Sequence, residues 1–221
     1  MASRTGRRAI LRIGAGLAIW VQMASLRRAL AAGKIEKGVY RVRGDVRVNG
    51  VRATQGMDIK AGDRIETGPN AEIVFVINRD ALLVRSNARV DVLGTAGALL
   101  ATGLRIVTGA VLSVYASGER RRIETPTATI GIRGTGIYVD AMSDKTYVCT
   151  CYGIADIEPA GDPASRETIR TSHHEQPRYV MAKGAPQMLM GAPVVDHTDA
   201  ELMMLESLVG RVPPFGPEPY R

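Results

Sequence analysis

The stretch Thr125-Pro126-Thr127-Ala128-Thr129-Ile130-Gly131-Ile132-Arg133-Gly134-Thr135 constrains this chain most. Ala128, Ile130 and Ile132 alternate with Thr127, Thr129, Gly131 and Arg133. A period of two gives an extended strand one apolar and one polar face, and Thr and Ile suit a pleated surface. Beyond Gly134 the apolar residues Ile137 and Val139 move from even to odd positions. A one-residue slip at Gly134-Thr135-Gly136 predicts a β-bulge or sharp bend, where glycine tolerates unusual backbone angles. Arg133 stands just before the bend on the polar side. It is either a structural arginine tied to a carboxylate or loop carbonyls, or an exposed contact for an anion or partner.

Upstream, short strand-like runs recur between turn signals. Val39 to Val48 alternates, with Gly44-Asp45 as a kink and Asn49-Gly50 as a hairpin signal. Arg64 to Thr67 lies between Ala61-Gly62-Asp63 and Gly68-Pro69-Asn70. Ala71 to Ile77 is largely apolar, as expected of a strand covered on both faces. Asn78-Arg79-Asp80 turns it back into Ala81 to Arg85, and Ala88 to Leu93 alternates again. Leu104 to Thr108 and Ala110 to Tyr115 flank Gly109 as two further runs. No long amphipathic helix interrupts the series across residues 35–157. The expected fold class is all-β, stacked short strands in a sandwich or solenoid-like arrangement.

The formal charge of +7 suggests a nucleic-acid or anionic partner, but its distribution does not. Residues 1–32 hold six of the 29 basic residues and no acidic one, which leaves 23 basic against 22 acidic residues in the remainder. Nucleic-acid binding is therefore not expected. Those first residues have the layout of an export signal: a basic start, the uncharged run Ile13 to Leu26, then Arg27-Arg28 before Ala29-Leu30-Ala31-Ala32. The run of 14 residues falls short of the ~20 needed to span a membrane as a helix. Arg7-Arg8-x-Ile10-Leu11-Arg12 resembles a twin-arginine signal. Cleavage is expected after Ala31 or Ala32, with an uncleaved membrane anchor as the alternative. The expected location is the periplasm, and the only expected membrane contact is through the uncleaved signal.

Five blocks occur in a recognisable order: Gly44-Asp45-Val46-Arg47-Val48-Asn49-Gly50, Gly62-Asp63-Arg64-Ile65-Glu66-Thr67-Gly68, the strand Ile73 to Ile77, Gly109-Ala110-Val111-Leu112, and Thr125-Pro126-x-Ala128-x-Ile130-Gly131-Ile132-Arg133-Gly134-Thr135. Together they resemble the FecR domain over residues 38–140. The resemblance implies an all-β periplasmic module. In the namesake regulators that module receives a signal from an outer-membrane transporter, and one membrane helix joins it to a cytoplasmic anti-sigma region. No cytoplasmic region precedes the hydrophobic run here, so the sigma-regulating output is not carried over. The expectation that remains is an envelope module that binds a periplasmic or outer-membrane protein or an envelope polymer.

Tyr147-Val148-Cys149-Thr150-Cys151-Tyr152 reads as the next strand. Positions i and i+2 share a face, so both thiols point one way. Their Cα atoms stand roughly 6.5–7 Å apart at the usual strand rise, the outer limit for a disulfide. Two thiolates on one side suit a soft metal. The three histidines, His173, His174 and His197, all lie downstream. Met181, Met188, Met190, Met203 and Met204 also crowd this end. Thiolate, imidazole and thioether favour copper or zinc over hard ions. Buried structural thiols and a redox or disulfide role are the alternatives. Adjacent histidines point to different sides of most backbones, so His173 and His174 are not both expected to join Cys149 and Cys151. The 22-residue gap from Cys151 to His173 matches no tight zinc signature.

Residues 158–221 form the C-terminal extension. Glu158 to Thr171 reads as a polar loop and Arg178 to Met181 as a strand. Thr198 with Glu201 fits a capping box. Leu202, Leu205 and Val209 form one stripe with Leu208 beside it, and Gly210 with Pro213-Pro214 ends the helix. So short a helix does not stand alone in water and must dock on the β body or on a partner. No Gly-x-Ser-x-Gly elbow or Gly-x-Gly-x-x-Gly cradle occurs, and Ser172-His173 adjacency makes no triad. A non-catalytic module is expected, with no certain cofactor. The metal-binding or metal-sensing alternative draws on Cys149, Cys151, His173, His174 and His197, and Arg133 is the candidate partner contact.

Overall fold

Successive residues along the central strands feed two different cores. In the computed structural model, which describes residues 37–96 and 101–215, β1 (Gly38–Arg43), β2 (Val46–Val48), β3 (Val51–Arg52), β4 (Arg64–Thr67), β5 (Glu72–Ile77), β6 (Asp80–Val84) and β7 (Arg89–Gly94) lead into three long strands and their companions. These are β8 (Ala101–Val114), β9 (Arg120–Glu124), β10 (Ala128–Ala141), β11 (Lys145–Pro159), β12 (Glu167–Thr171), β13 (Arg178–Met181) and β14 (Leu189–Gly191). One helix, α1 (Asp199–Leu208), follows. The architecture is all-β with a short helical appendage. The export signal and its cleavage point lie outside the described residues. Among the described residues no helix is long and apolar enough to cross a membrane.

The sheet runs β14-β13-β11-β10-β9-β8-β7-β4-β2-β3, with β1, β5 and β6 branching from β8 and with β12 beside β11. Ile73, Phe75 and Ile77 of β5 enter the larger core, together with Ile130, Ile132, Ile137 and Val139 of β10 and Val148 of β11. Val74, Val76, Leu83, Leu112, Tyr138, Tyr147, Cys149 and Cys151 enter the second core, which α1 covers. Because every residue of β5 from Ile73 to Ile77 is buried, this strand has no polar face, as its sequence predicts. A period-two strand between two apolar layers must be apolar throughout.

The change of phase in β10 is a bulge. Its pairing with β11 shifts between Arg133 and Gly136 and again between Gly136 and Ile137. Gly134 takes φ +59°, a value that favours glycine. The slip keeps Ile137 and Val139 on the side already occupied by Ile130 and Ile132, so the shifted sequence pattern and the shifted register cancel. Asn49 and Gly50 both have positive φ, which gives the primed turn that fits a two-residue hairpin between β2 and β3.

Two segments differ from their sequence reading. Leu104 to Thr108 and Ala110 to Tyr115 are not two strands: β8 runs through Gly109 without a break. Before Gly109 it pairs with β7, and after it with β6 and β10, so the glycine marks a change of neighbours. Glu158 to Thr171 is not all loop either, because Glu167–Thr171 forms β12 and pairs with β11. Its single apolar residue, Ile169, is buried, and one inward residue among polar neighbours is too little to signal a strand by alternation.

α1 begins as a capping box: Thr198 Oγ1 accepts from the Glu201 N–H at 3.3 Å, and Glu201 Oε2 accepts from the Thr198 N–H at 3.0 Å. Gly210, at φ +70°, follows its last turn. The helix packs on β6 and β8. Leu202, Leu205 and Leu208 are buried there, each contributing roughly 1.5–3 kcal/mol on leaving water. That burial offsets the marginal stability of an isolated ten-residue helix.

Candidate metal centre

β11 places Cys149 and Cys151 on the face turned toward α1, both fully buried and both free thiols. The i, i+2 spacing is the whole reason they share that face. The turn after β12 brings His174 to them. Its backbone N–H donates to the Cys151 carbonyl at 2.9 Å, and its φ of +56° is a left-handed conformation uncommon for a residue with a Cβ. Glu175 locks this turn: its carboxylate accepts from the Ser172 N–H at 2.8 Å and the Ser172 hydroxyl at 2.6 Å, and also from the Thr171 hydroxyl. Hydrogen bonds from Ser172 and Thr171 hold the Glu175 carboxyl down at about 2.

The segment leading into α1 supplies His197. Its ring stacks on Tyr138 at a centroid distance of 4.7 Å and 11° between planes. Nδ1 lies 2.7 Å from the Val195 carbonyl, so Nδ1 carries the proton and donates, and Nε2 is the acceptor nitrogen of the neutral ring. His174 has the opposite assignment. Its Nε2 lies 3.1 Å from Asp199 Oδ1 and donates to that carboxylate, which directs Nδ1 to the thiols. His174 Nδ1 is 3.4 Å from Cys149 Sγ and 3.0 Å from His197 Nε2.

One donor atom from each of Cys149, Cys151, His174 and His197 thus falls within 4.8 Å of the others. Around a tetrahedral zinc, with its usual bond lengths, nitrogen–nitrogen edges are about 3.3 Å and sulfur–nitrogen edges about 3.6 Å. The observed 3.0 and 3.4 Å sit slightly inside those edges. The electrostatics suit the same purpose. The Cys151 hydrogen bond, reinforced by His174 and His197, outweighs burial and draws the Cys149 thiol well below its ordinary range. Burial and the adjacent Cys149 push the Cys151 thiol up. Burial opposes the charged form of His174, but Cys149 and Asp199 more than compensate and raise it.

His173 stands outside the thiol group. Its Nε2 lies 3.0 Å from both Asp199 oxygens, and its ring stacks on Phe215 at 4.5 Å. The left-handed turn at His174 brings both rings to one carboxylate, contrary to the usual divergence of neighbouring side chains, yet only His174 reaches the sulfurs. Asp199 was not legible as a site residue, because a first-turn acid is also what any helix dipole favours. Of the methionines, Met190 is exposed on β14, Met188 lies against Gly161, and Met204 packs against the core that holds the thiols. Arg133 is on the polar side of β10 and forms an ion pair with Asp156. The carboxylate accepts from Thr168 at 2.7 Å as well as from Arg133, and the two together, Thr168 first, lower its affinity for a proton.

The fold and this cluster define a class: an all-β module with one docked helix and a buried set of two cysteines and two histidines. No protein-family model matches the chain, and no curated protein matches it, so the resemblance to the FecR domain rests on the motifs in the sequence. Two crystal structures of a candidate anti-sigma factor from Parabacteroides distasonis are similar to the chain at 10% identity and a TM-score of 0.48. Each match covers 58% of this chain and 58% of that one.

Proposed function

We propose that this protein is a non-catalytic, exported β module that binds one soft transition-metal ion through Cys149, Cys151, His174 and His197, with zinc as the first choice and copper(I) as the competitor. The observation that carries this reading is the orientation of the two rings. Each imidazole spends one nitrogen on a fixed acceptor, Val195 or Asp199, and aims the other at the thiols. Outer partners of this kind are what orient metal-ligating histidines, and an S₂N₂ donor set favours zinc. The export-like first residues support a location in the envelope, where such a module acts by contact with another protein or a polymer.

Cys149, His174 and Asp199 also follow one another as thiolate, imidazole and carboxylate, the order of a nucleophilic triad. Burial argues against turnover. Cys149 is 0% and His174 2% exposed, and His197 Nε2 already stands 3.0 Å from the His174 nitrogen that faces Cys149.

Metal analysis of the protein purified under reducing conditions tests the reading. One equivalent of zinc or copper in the wild type, and its loss in a Cys149→Ser, Cys151→Ser double variant, is the expected result. Equal metal content in both proteins refutes it.

A further inference from the structure

The four ligands divide unequally between the two parts that the ion would join. Cys149 and Cys151 belong to β11, and His174 is tied to that strand through its N–H to the Cys151 carbonyl. His197 alone comes from the far side, two residues before α1 starts. The helix adds Asp199, its first residue, as the outer partner of His174. An ion bound to all four therefore fastens the start of α1 to the sheet.

We infer that this site is a latch: binding of the ion closes α1 over the second core, and loss of the ion releases it. This rests on the metal-binding reading above and adds what the ion controls. In the closed form Leu202, Leu205 and Leu208 share one buried core with Val74, Val76, Leu83 and Leu112, the helix packing on β6 and β8. The remaining ties are polar side-chain contacts, the Tyr152–Glu206 pair buried and the others partly exposed. Arg85 holds Glu201 at 2.8 Å and the Asp196 carbonyl at 2.9 Å, and Glu206 accepts from Tyr152 and Arg211. Without the ion, His197 meets the sheet side through non-covalent contacts, its stack on Tyr138 and the 3.0 Å approach to His174 Nδ1, in place of coordinate bonds through a common metal. A helix of ten residues has little stability of its own once its start is unfastened. The larger core contributes no ligand, and residues 128–132 of β10, which feed it, are unaffected. The occupancy of the site is thus written in the exposure of the apolar face of β5, β6 and β8.

Hydrogen exchange on the full chain, kept reduced, tests the latch. The protein is compared after chelation, after addition of one equivalent of zinc, and as the His197→Ala variant with zinc. Zinc is expected to slow exchange across residues 199–208 at least tenfold and to leave residues 128–132 of β10, which feed the larger core, unchanged. In His197→Ala, zinc still binds to the three remaining ligands but fails to protect the helix. Stoichiometric zinc binding with unaltered exchange in the helix overturns the latch and leaves the metal site standing. Chelation that also opens residues 128–132 overturns it too, since the ion would then hold up the whole fold. Absence of zinc binding removes the latch and the metal-binding reading together.

Discussion

His197 Nε2 lies 3.0 Å from His174 Nδ1, although each ring has its other nitrogen engaged as a donor, one to the Val195 carbonyl and one to Asp199. Two acceptor nitrogens at this separation repel unless a cation lies between them. A proton meets that need for one pair of atoms. A metal ion meets it for all four donors at once. This relationship, more than the presence of cysteine and histidine, distinguishes the cluster from buried thiols that only fill space.

Asp199 fixes the tautomer of His174, so Asp199→Asn is expected to weaken zinc binding roughly 10- to 100-fold and leave the fold intact. Competition against a chromophoric chelator measures the affinity, and circular dichroism checks the fold. An unchanged affinity would show that the turn at His174, rather than the carboxylate, orients the ring.

The Arg85–Glu201 pair gives α1 a dependence on pH. Burial opposes the charged form of Glu201, but the hydrogen bonds from Arg85 and Thr198 prevail and lower its carboxyl below the ordinary 4.5. A carboxyl lowered in the folded state stabilises fully above its unfolded value, and the contribution fades as pH falls through the folded value. The difference in unfolding free energy between wild type and Glu201→Gln should therefore be constant above pH 4.5 and shrink in more acidic solution. A difference that grows on acidification contradicts the assignment.

Gly136 sits where β10 changes register, and a Cβ there would stand 2.3 Å from Tyr152 Cε1. The Tyr152 hydroxyl is held by Glu206 of α1, so the ring has no easy retreat. Gly136→Ala is expected to destabilise the protein by about 1–3 kcal/mol, the usual range for overpacking. Urea unfolding measures it, and a change below about 0.5 kcal/mol, the level of an ordinary surface substitution, would show that the bulge is softer than its packing indicates.

How much of this was legible in the sequence follows from the range of the interactions. The strand around Ile130, its slip at Gly134, the doubly buried β5, the capping box at Thr198 and the common face of Cys149 and Cys151 all depend on neighbours within a few residues, and periodicity carries that information. The choice of His174 over His173 depends on a left-handed residue fixed by Glu175 and by the Cys151 carbonyl, which no spacing rule contains. The arrival of His197 depends on where α1 docks, a matter of the second core. β12 was missed because Ile169 is its only apolar residue, and β8 was divided because Gly109 looks like a turn when its change of neighbours is not visible. Alternation in the Thr125–Thr135 block located the strand and said nothing of the thiols beside it.

X-ray absorption at the zinc edge, on the full chain loaded with one equivalent of zinc, tests the central claim most directly. Two sulfur ligands at about 2.3 Å and two nitrogen ligands at about 2.0–2.1 Å are the predicted shell, with one sulfur lost in each of Cys149→Ser and Cys151→Ser. A shell of oxygen and nitrogen alone, unchanged in those variants, would place the ion elsewhere on the protein and contradict the account.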